Sequence, residues 1–154
     1  MTSFTYAAIS AQGDGRVAIA FGHHLIRITA AETAGRLGVL EATVPAGEGP
    51  PLHVHEREDE LFRVLSGRFG FWAADEFVEL EEGGVIALPR GIPHRFQNVG
   101  TSEGKLLVVL TPGGFEGFFP LIEARQPQGF GEIAAIAAEF GLTFLPQSGV
   151  EAAA

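Results

Sequence analysis

The chain has 154 residues, 46% of them hydrophobic, a formal net charge of -9 and no cysteine. That length suits one domain with a real core, and the composition excludes disorder over most of it. The acidic balance without a Lys/Arg cluster argues against nucleic acid as a partner, no apolar run is long enough to span a membrane, and no thiolate is available as nucleophile, ligand or disulfide partner.

Residues 1–15 read as an N-terminal lead-in ending in the Gly13-Asp14-Gly15 turn. They lack the basic start and long apolar stretch of a signal peptide, and the missing cysteines fit a reducing compartment, so the expected location is cytoplasmic. Val17 to Phe21 is a short apolar run expected as a strand. His23 and His24 follow as an adjacent pair whose rings would point to opposite faces of a strand, and they are read as surface or strand-edge groups rather than metal ligands. Leu25, Arg27 and Thr29 then alternate with Ile26 and Ile28. Ala30 to Gly35 reads as a turn and Leu37 to Val44 as a strong strand. Further strands are expected at Glu60 to Leu65, at Arg68 to Ala73 and Glu76 to Leu80 (a hairpin around Ala74-Asp75), at Val85 to Leu88, around Phe96, and at Leu106 to Leu110. Many short strands separated by turns over residues 16–112, with 21 glycines in the chain, point to an all-β sandwich or barrel.

The tail changes character. Pro112-Gly113-Gly114 breaks the strand pattern, and Phe115, Phe118, Phe119 and Ile122 follow helical spacing. Ile133, Ile136, Ala137 and Phe140 form a second helical stripe, with Gly141 as a stop. Residues 113–145 are therefore expected to be a helical extension of two short helices, packed on the outside of the barrel or across its mouth. Residues 146–154 read as a frayed tail.

The chemistry concentrates in GEGPPLHVHEREDELFRVLSG, residues 47–67. His53 and His55 are two apart, so on a strand both rings face one side. If the chain folds back at residues 56–59, Glu60 comes level with His55 on the neighbouring strand. Glu56, Glu58 and Asp59 then solvate the turn. Two imidazoles and a carboxylate meeting at a point suit a divalent transition metal. GGVIALPRGIPHRFQN, residues 83–98, adds a third imidazole, His94.

Together these stretches resemble the two motifs of the cupin superfamily. Gly47, His53, His55, Glu60 and Gly67 match the first, and Gly83, Pro89, Gly91, His94 and Asn98 match the second. The flanking TPGGFEGFF extends the similarity toward single-domain, quercetin-dioxygenase-like cupins. The resemblance implies a double-stranded β-helix (jelly-roll) barrel with two short C-terminal helices. It also implies one divalent transition metal per chain (Fe, Mn, Ni, Cu, Co or Zn), held by His53, His55, Glu60 and His94. Four ligands leave open positions, which suits catalysis better than a closed structural site. The implied activity is a metal-dependent dioxygenase acting on a small aromatic or enol-bearing compound, with Glu60 both ligand and proton acceptor. A non-redox isomerase, cyclase or decarboxylase, and a non-catalytic module binding metal or a small ligand, stand beside it. Cupins commonly pair through strands near the chain start, so a homodimer through Val17 to Ile28 is expected.

Overall fold

In the computed structural model, which describes residues 3–146, two antiparallel sheets face each other across a common interior. The strands are β1 (Arg16–Ile19), β2 (His23–Ile28), β3 (Gly38–Val44), β4 (His53–His55), β5 (Asp59–Ser66), β6 (Arg68–Ala73), β7 (Glu76–Glu81), β8 (Val85–Leu88), β9 (His94–Asn98) and β10 (Gly104–Thr111). One turn of 3-10 helix at Phe115–Gly117 leads into α1 (Phe118–Arg125), followed by α2 (Phe130–Glu139) and β11 (Leu142–Phe144). The six-stranded sheet runs β1-β2-β3-β10-β5-β8 and the five-stranded sheet β11-β4-β9-β6-β7. This is the jelly-roll architecture of the cupin fold, with two short C-terminal helices.

Alternation in the sequence sets the inner face. Leu40, Ala42 and Val44 of β3, Leu106, Val108 and Leu110 of β10, and Phe62 and Val64 of β5 all point inward and are buried. Phe69 and Phe71 face them from β6. Fully burying one such side chain contributes about 2 kcal/mol, so this core holds the sheets together without any ion. Glu60 shares its strand parity with Phe62 and Val64, and that alone turns a carboxylate into the interior.

Four glycines of the two matched stretches have left-handed backbone: Gly47 (φ +80°), Gly67 (φ +88°), Gly83 (φ +88°) and Gly91 (φ +78°). At Gly67 a Cβ would also lie 3.0 Å from the Cα of Gly104, so the β5–β6 turn excludes a side chain on two counts. Gly91 donates its N–H to the His55 carbonyl at 2.8 Å, tying the second stretch to the first. Asn98 is a buried latch. Its Nδ2 donates to the carbonyls of Val44 and Ser102, and its Oδ1 accepts from the Gly100 N–H, all at 2.9 Å.

Two sequence expectations change. Glu60 does not come level with His55 on a paired strand: β4 pairs with β9 and β11, while β5 pairs with β10 and β8. Residues 56–58 carry the chain from one sheet to the other, because β5 finds a seven-residue register along β10 that the three-residue β4 cannot offer. The tail is not purely helical, since Leu142–Phe144 adds a strand along His53–His55. The lead-in has no regular structure over residues 3–15, yet Arg27 holds it through Ser10 Oγ at 2.8 Å and the Ala11 carbonyl at 2.8 Å. No helix of the described residues is long and apolar enough to cross a membrane.

Candidate metal centre

The structure brings His53, His55, Glu60 and His94 together, although three different strands carry them. His53 and His55 project from β4 on one face, as their spacing predicts. His94 is directly opposite His53 on β9, and Glu60 approaches from the other sheet. All four are buried, and one donor atom from each lies within 4.8 Å of every other. Donors bound about 2 Å from an ion sit up to about 4 Å apart, so a small contraction around a divalent ion completes the shell.

The outer side of each ring fixes its tautomer. His53 Nδ1 lies 2.7 Å from the Pro51 carbonyl and His94 Nδ1 lies 3.3 Å from the Ile92 carbonyl. A carbonyl only accepts, so each Nδ1 donates outward and each Nε2 is left facing the cluster. His55 Nδ1 lies 3.5 Å from Glu58 Oε2, an ion-pair distance at which neither atom completes a hydrogen bond. On the inner side, Glu60 Oε2 is 3.3 Å from His55 Nε2 and 3.1 Å from His94 Nε2. Such outer-side partners orient metal-ligating imidazoles.

Electrostatics sorts the rings. Burial, then the neighbouring His94 and His55, pushes His53 down to about 4, so it is neutral. Burial works against charge on His55 too, but the Glu60 and Glu58 carboxylates outweigh it and hold His55 up at about 9. Burial would raise Glu60, yet His55 and His94 keep its carboxyl far below the usual range. The cluster thus holds a carboxylate ionised in the interior with positive charge drawn toward it. A divalent cation at the centre would pair with that carboxylate and displace the His55 proton, leaving three imidazole nitrogens as donors, so the donor set fits a hard-to-borderline transition metal.

One cavity of about 640 Å³ opens onto this cluster. Its walls are apolar and largely aromatic, with Phe62 and Phe96 from the sheets and Phe115, Phe118 and Phe119 from the tail. The Phe115 ring meets His55 edge-on at 4.6 Å. Among the described residues, no Lys or Arg lines the cavity. The tail therefore closes the site as well as covering apolar surface. It is anchored beside the ligands: Leu142 pairs with His55, Phe144 pairs with His53, the Glu56 N–H donates to the Gly141 carbonyl at 3.0 Å, and Arg57 caps the end of α2 at the Glu139 carbonyl.

Two readings of single residues are overturned. Glu58 does not solvate the turn. It is buried against His55, because the crossover between sheets folds it inward, whereas Glu56 and Asp59 stay exposed. His24 is not a surface group. It shares the inward parity of Ile26, is 8% exposed, stacks on Phe119 at 3.7 Å between ring centroids, and lines the cavity. That shared parity with an apolar isoleucine was the available signal. His23, its neighbour, is exposed as expected.

A jelly roll with three imidazoles and one carboxylate gathered at the inner end of an apolar cavity defines a class, the small-molecule barrels with a metal-type centre. The comparisons with known proteins narrow it. Residues 40–110 match the cupin domain family. The oxalate-binding protein of Thermotoga maritima is 30% identical over 98 residues, covering 64% of this chain and 78% of that protein. The chain belongs to the cupin family. It is also 31% identical over 116 residues to the quercetin 2,3-dioxygenase of Bacillus subtilis, covering 74% of this chain and 33% of that enzyme. Among solved structures, the polyketide cyclase RemF from Streptomyces resistomycificus superposes with a TM-score of 0.57 at 27% identity, over 69% of this chain and 80% of RemF. The chain spans 33% to 59% of the length of several curated relatives it matches, that dioxygenase included.

Proposed function

We propose that the protein is a metal-dependent enzyme acting on a small, flat, aromatic or enol-bearing compound, and that the reaction is a dioxygenation. The observation that carries this reading is the pairing of an open-sided donor cluster with an apolar, Phe-lined cavity that no Lys or Arg among the described residues lines. Away from the cluster, small organic acids and acidic sugars find no guanidinium or ammonium group on those walls, whereas an aromatic ring finds several phenyl rings to pack against. The similarity to quercetin 2,3-dioxygenase supports the same choice.

A divalent metal held by His53, His55, Glu60 and His94 supplies Lewis acidity toward an enol or phenol oxygen and, if redox-active, electrons toward dioxygen. The chain's own residues do the rest. Pro51, Glu58 and Ile92 orient the three imidazoles. Glu60, the carboxylate of the donor set, is the group placed to take the proton of the reacting hydroxyl once a metal replaces the histidine protons that now hold its pKa down. Phe115, Phe118 and Phe119 exclude water from one side.

The similarity to RemF favours a second reading, a non-redox cyclisation of a polyketide-like substrate in the same cavity. Anaerobic reconstitution with Fe(II), Mn(II), Ni(II), Cu(II) or Zn(II), followed by flavonols, catechols and β-diketones in an oxygen electrode, separates the two. Oxygen uptake by a redox-active form supports dioxygenation. Turnover by the Zn(II) form without oxygen uptake replaces it with cyclase-type chemistry.

We also propose a homodimer formed through β1. That strand is the edge of the six-stranded sheet, and Val17, Ile19 and Phe21 are exposed along and beside it. A light-scattering mass of one chain at micromolar concentration would contradict it.

A further inference from the structure

Among the described residues, Phe21 and Phe130 are the only large apolar side chains that both line the cavity and stand exposed, at 57% and 59%. A lining residue more than half exposed lies where a cavity meets solvent, so these two mark its mouth. Phe21 is in the turn joining β1 to β2, at one edge of the six-stranded sheet, and Phe130 opens α2, which packs on β11 at an edge of the five-stranded sheet. A row of rings leads inward from each. Phe21 stacks on Phe118 at 6.3 Å between centroids, Phe118 stacks on Phe115 at 5.1 Å, and Phe115 meets His55. Phe130 lies 5.3 Å from Phe144, which lies 6.4 Å from His53. Each step is within the range at which aromatic rings attract one another. A ligand held at the cluster by its oxygens and reaching the mouth runs between these two rows, and it needs more than one ring to do so.

Phe21 is held at the mouth against the preference of its backbone. Ile19 pairs with His23, the Ala20 N–H donates to the Gly22 carbonyl at 3.0 Å, and the turn between them needs positive φ at two residues, Phe21 (+55°) and Gly22 (+106°). Glycine takes such a backbone freely and asparagine or aspartate tolerates it, whereas a bulky side chain rarely adopts it. Four non-glycine residues of the described chain have positive φ: Phe21, Ala34, Ala74 and Gln126. Phe21 is the bulky apolar one, and of the four it alone lines the cavity. A phenyl ring more than half exposed adds little to the core, and a left-handed backbone disfavours it in the turn. Strain of this kind gathers where a chain contacts a ligand.

We propose that Phe21 and Phe130 form an aromatic mouth that packs against the outer ring of a multi-ring ligand, whose chelating oxygens lie at the His53, His55, Glu60 and His94 cluster. This rests on the aromatic reading of the cavity and goes further: it sets a minimum size, selecting multi-ring over single-ring ligands. Both residues act in binding and selection, and neither touches the reacting atoms.

The test compares two probes on the Zn(II)-loaded full chain, in which dioxygen is not turned over. Maltol carries a chelating hydroxyl and carbonyl on a single ring, and flavonol carries the same pair on a fused ring system with a further phenyl group. Titration calorimetry is expected to show tighter binding of flavonol to the wild type. Phe21→Asn and Phe130→Ser are each expected to weaken flavonol roughly fivefold to tenfold and leave maltol unchanged, while Phe21→Tyr, which keeps the ring, holds the wild-type preference. Stability is expected to move the other way: Phe21→Asn suits the turn and raises the melting temperature by about 2–4 °C. Light scattering is expected to give the same mass for Phe21→Asn as for the wild type. A lowered melting temperature would make Phe21 a packing residue, and a change from dimer to monomer would assign it to an interface between copies; either overturns the proposal. Equal effects on both probes, or no flavonol preference in the wild type, overturn it as well. Failure of both probes to bind overturns it together with the aromatic reading. Selective weakening of flavonol without oxygen uptake by any metal form upholds the mouth and sinks only the dioxygenation.

Discussion

The two polar regions of the cavity are built on opposite rules. At the cluster, His53 and His94 each have a backbone carbonyl behind them, His55 has the Glu58 carboxylate at ion-pair distance, and all three face Glu60 or another imidazole, an arrangement that takes three strands and a crossover. At His24 a single imidazole is stacked on Phe119 beside the Gly22 and Ala20 carbonyls, buried in an apolar wall with no carboxylate against it among the described residues. The first arrangement over-determines positions, as a metal demands. The second buries one neutral ring among aromatic side chains, which packing alone requires.

The largest effect is expected from removing what both regions share. Truncation before Phe115 takes away β11, which borders the ligand-bearing β4, and α1, which carries Phe119. It also removes the buried Phe115, Phe118, Ile122, Ile136 and Leu142 from the core. At about 2 kcal/mol each, these five account for about 10 kcal/mol, comparable to the whole stability of a typical domain. Aggregation on gel filtration is expected, and a monodisperse truncation with an unchanged melting temperature would show that the tail is dispensable.

Next comes the pH response of His24. Its pKa falls from 6.5 to about 4 on folding, so between those values the unfolded chain binds more protons than the native one. The neutral ring's contribution is therefore complete above about 6.5 and is lost as pH falls toward 4. Its size is on the order of 2–3 kcal/mol. Denaturant titrations at several pH values are expected to fall less steeply for His24→Phe than for the wild type over that window. Parallel curves would mean that the buried ring titrates like a free one.

At the cluster, Glu58→Gln is expected to weaken metal affinity by about 10- to 100-fold in a chelator competition, with the melting temperature of the metal-free protein little changed. Asp59→Asn is the control: Asp59 is exposed and pairs with Arg90 on the surface, so metal affinity stays as it was. Equal behaviour of the two variants would return Glu58 to the role of a solvated turn residue. The smallest effect belongs to Arg57→Ala, which removes one hydrogen bond at the end of α2 and is expected to cost about 1 kcal/mol by denaturant titration. No measurable loss would mean that backbone pairing alone seats the tail.

The same contrast explains what was legible in the sequence. The ligand frame was readable because each part needs a fixed residue type at a fixed offset: glycine where φ is positive, histidines two apart on a strand, asparagine where three backbone groups converge. The sheet assignment of β4 was not readable, since an acidic turn at residues 56–58 looks the same whether it closes a hairpin or crosses between sheets. Glu58 was misread for that reason. β11 was hidden because Leu142-Thr143-Phe144 is too short to show a period and follows directly on a helix stop. His24 was misread because adjacency to His23 suggested an edge, although Ile26 already marked the inward face.

The central claim is that one divalent metal sits at His53, His55, Glu60 and His94, facing an apolar cavity. Elemental analysis of the purified wild type and of the double variant His53→Ala, His94→Ala tests it most directly, with circular dichroism to confirm that both are folded. The account predicts one metal ion per wild-type chain and almost none in the folded double variant. Full occupancy in the folded double variant would contradict it.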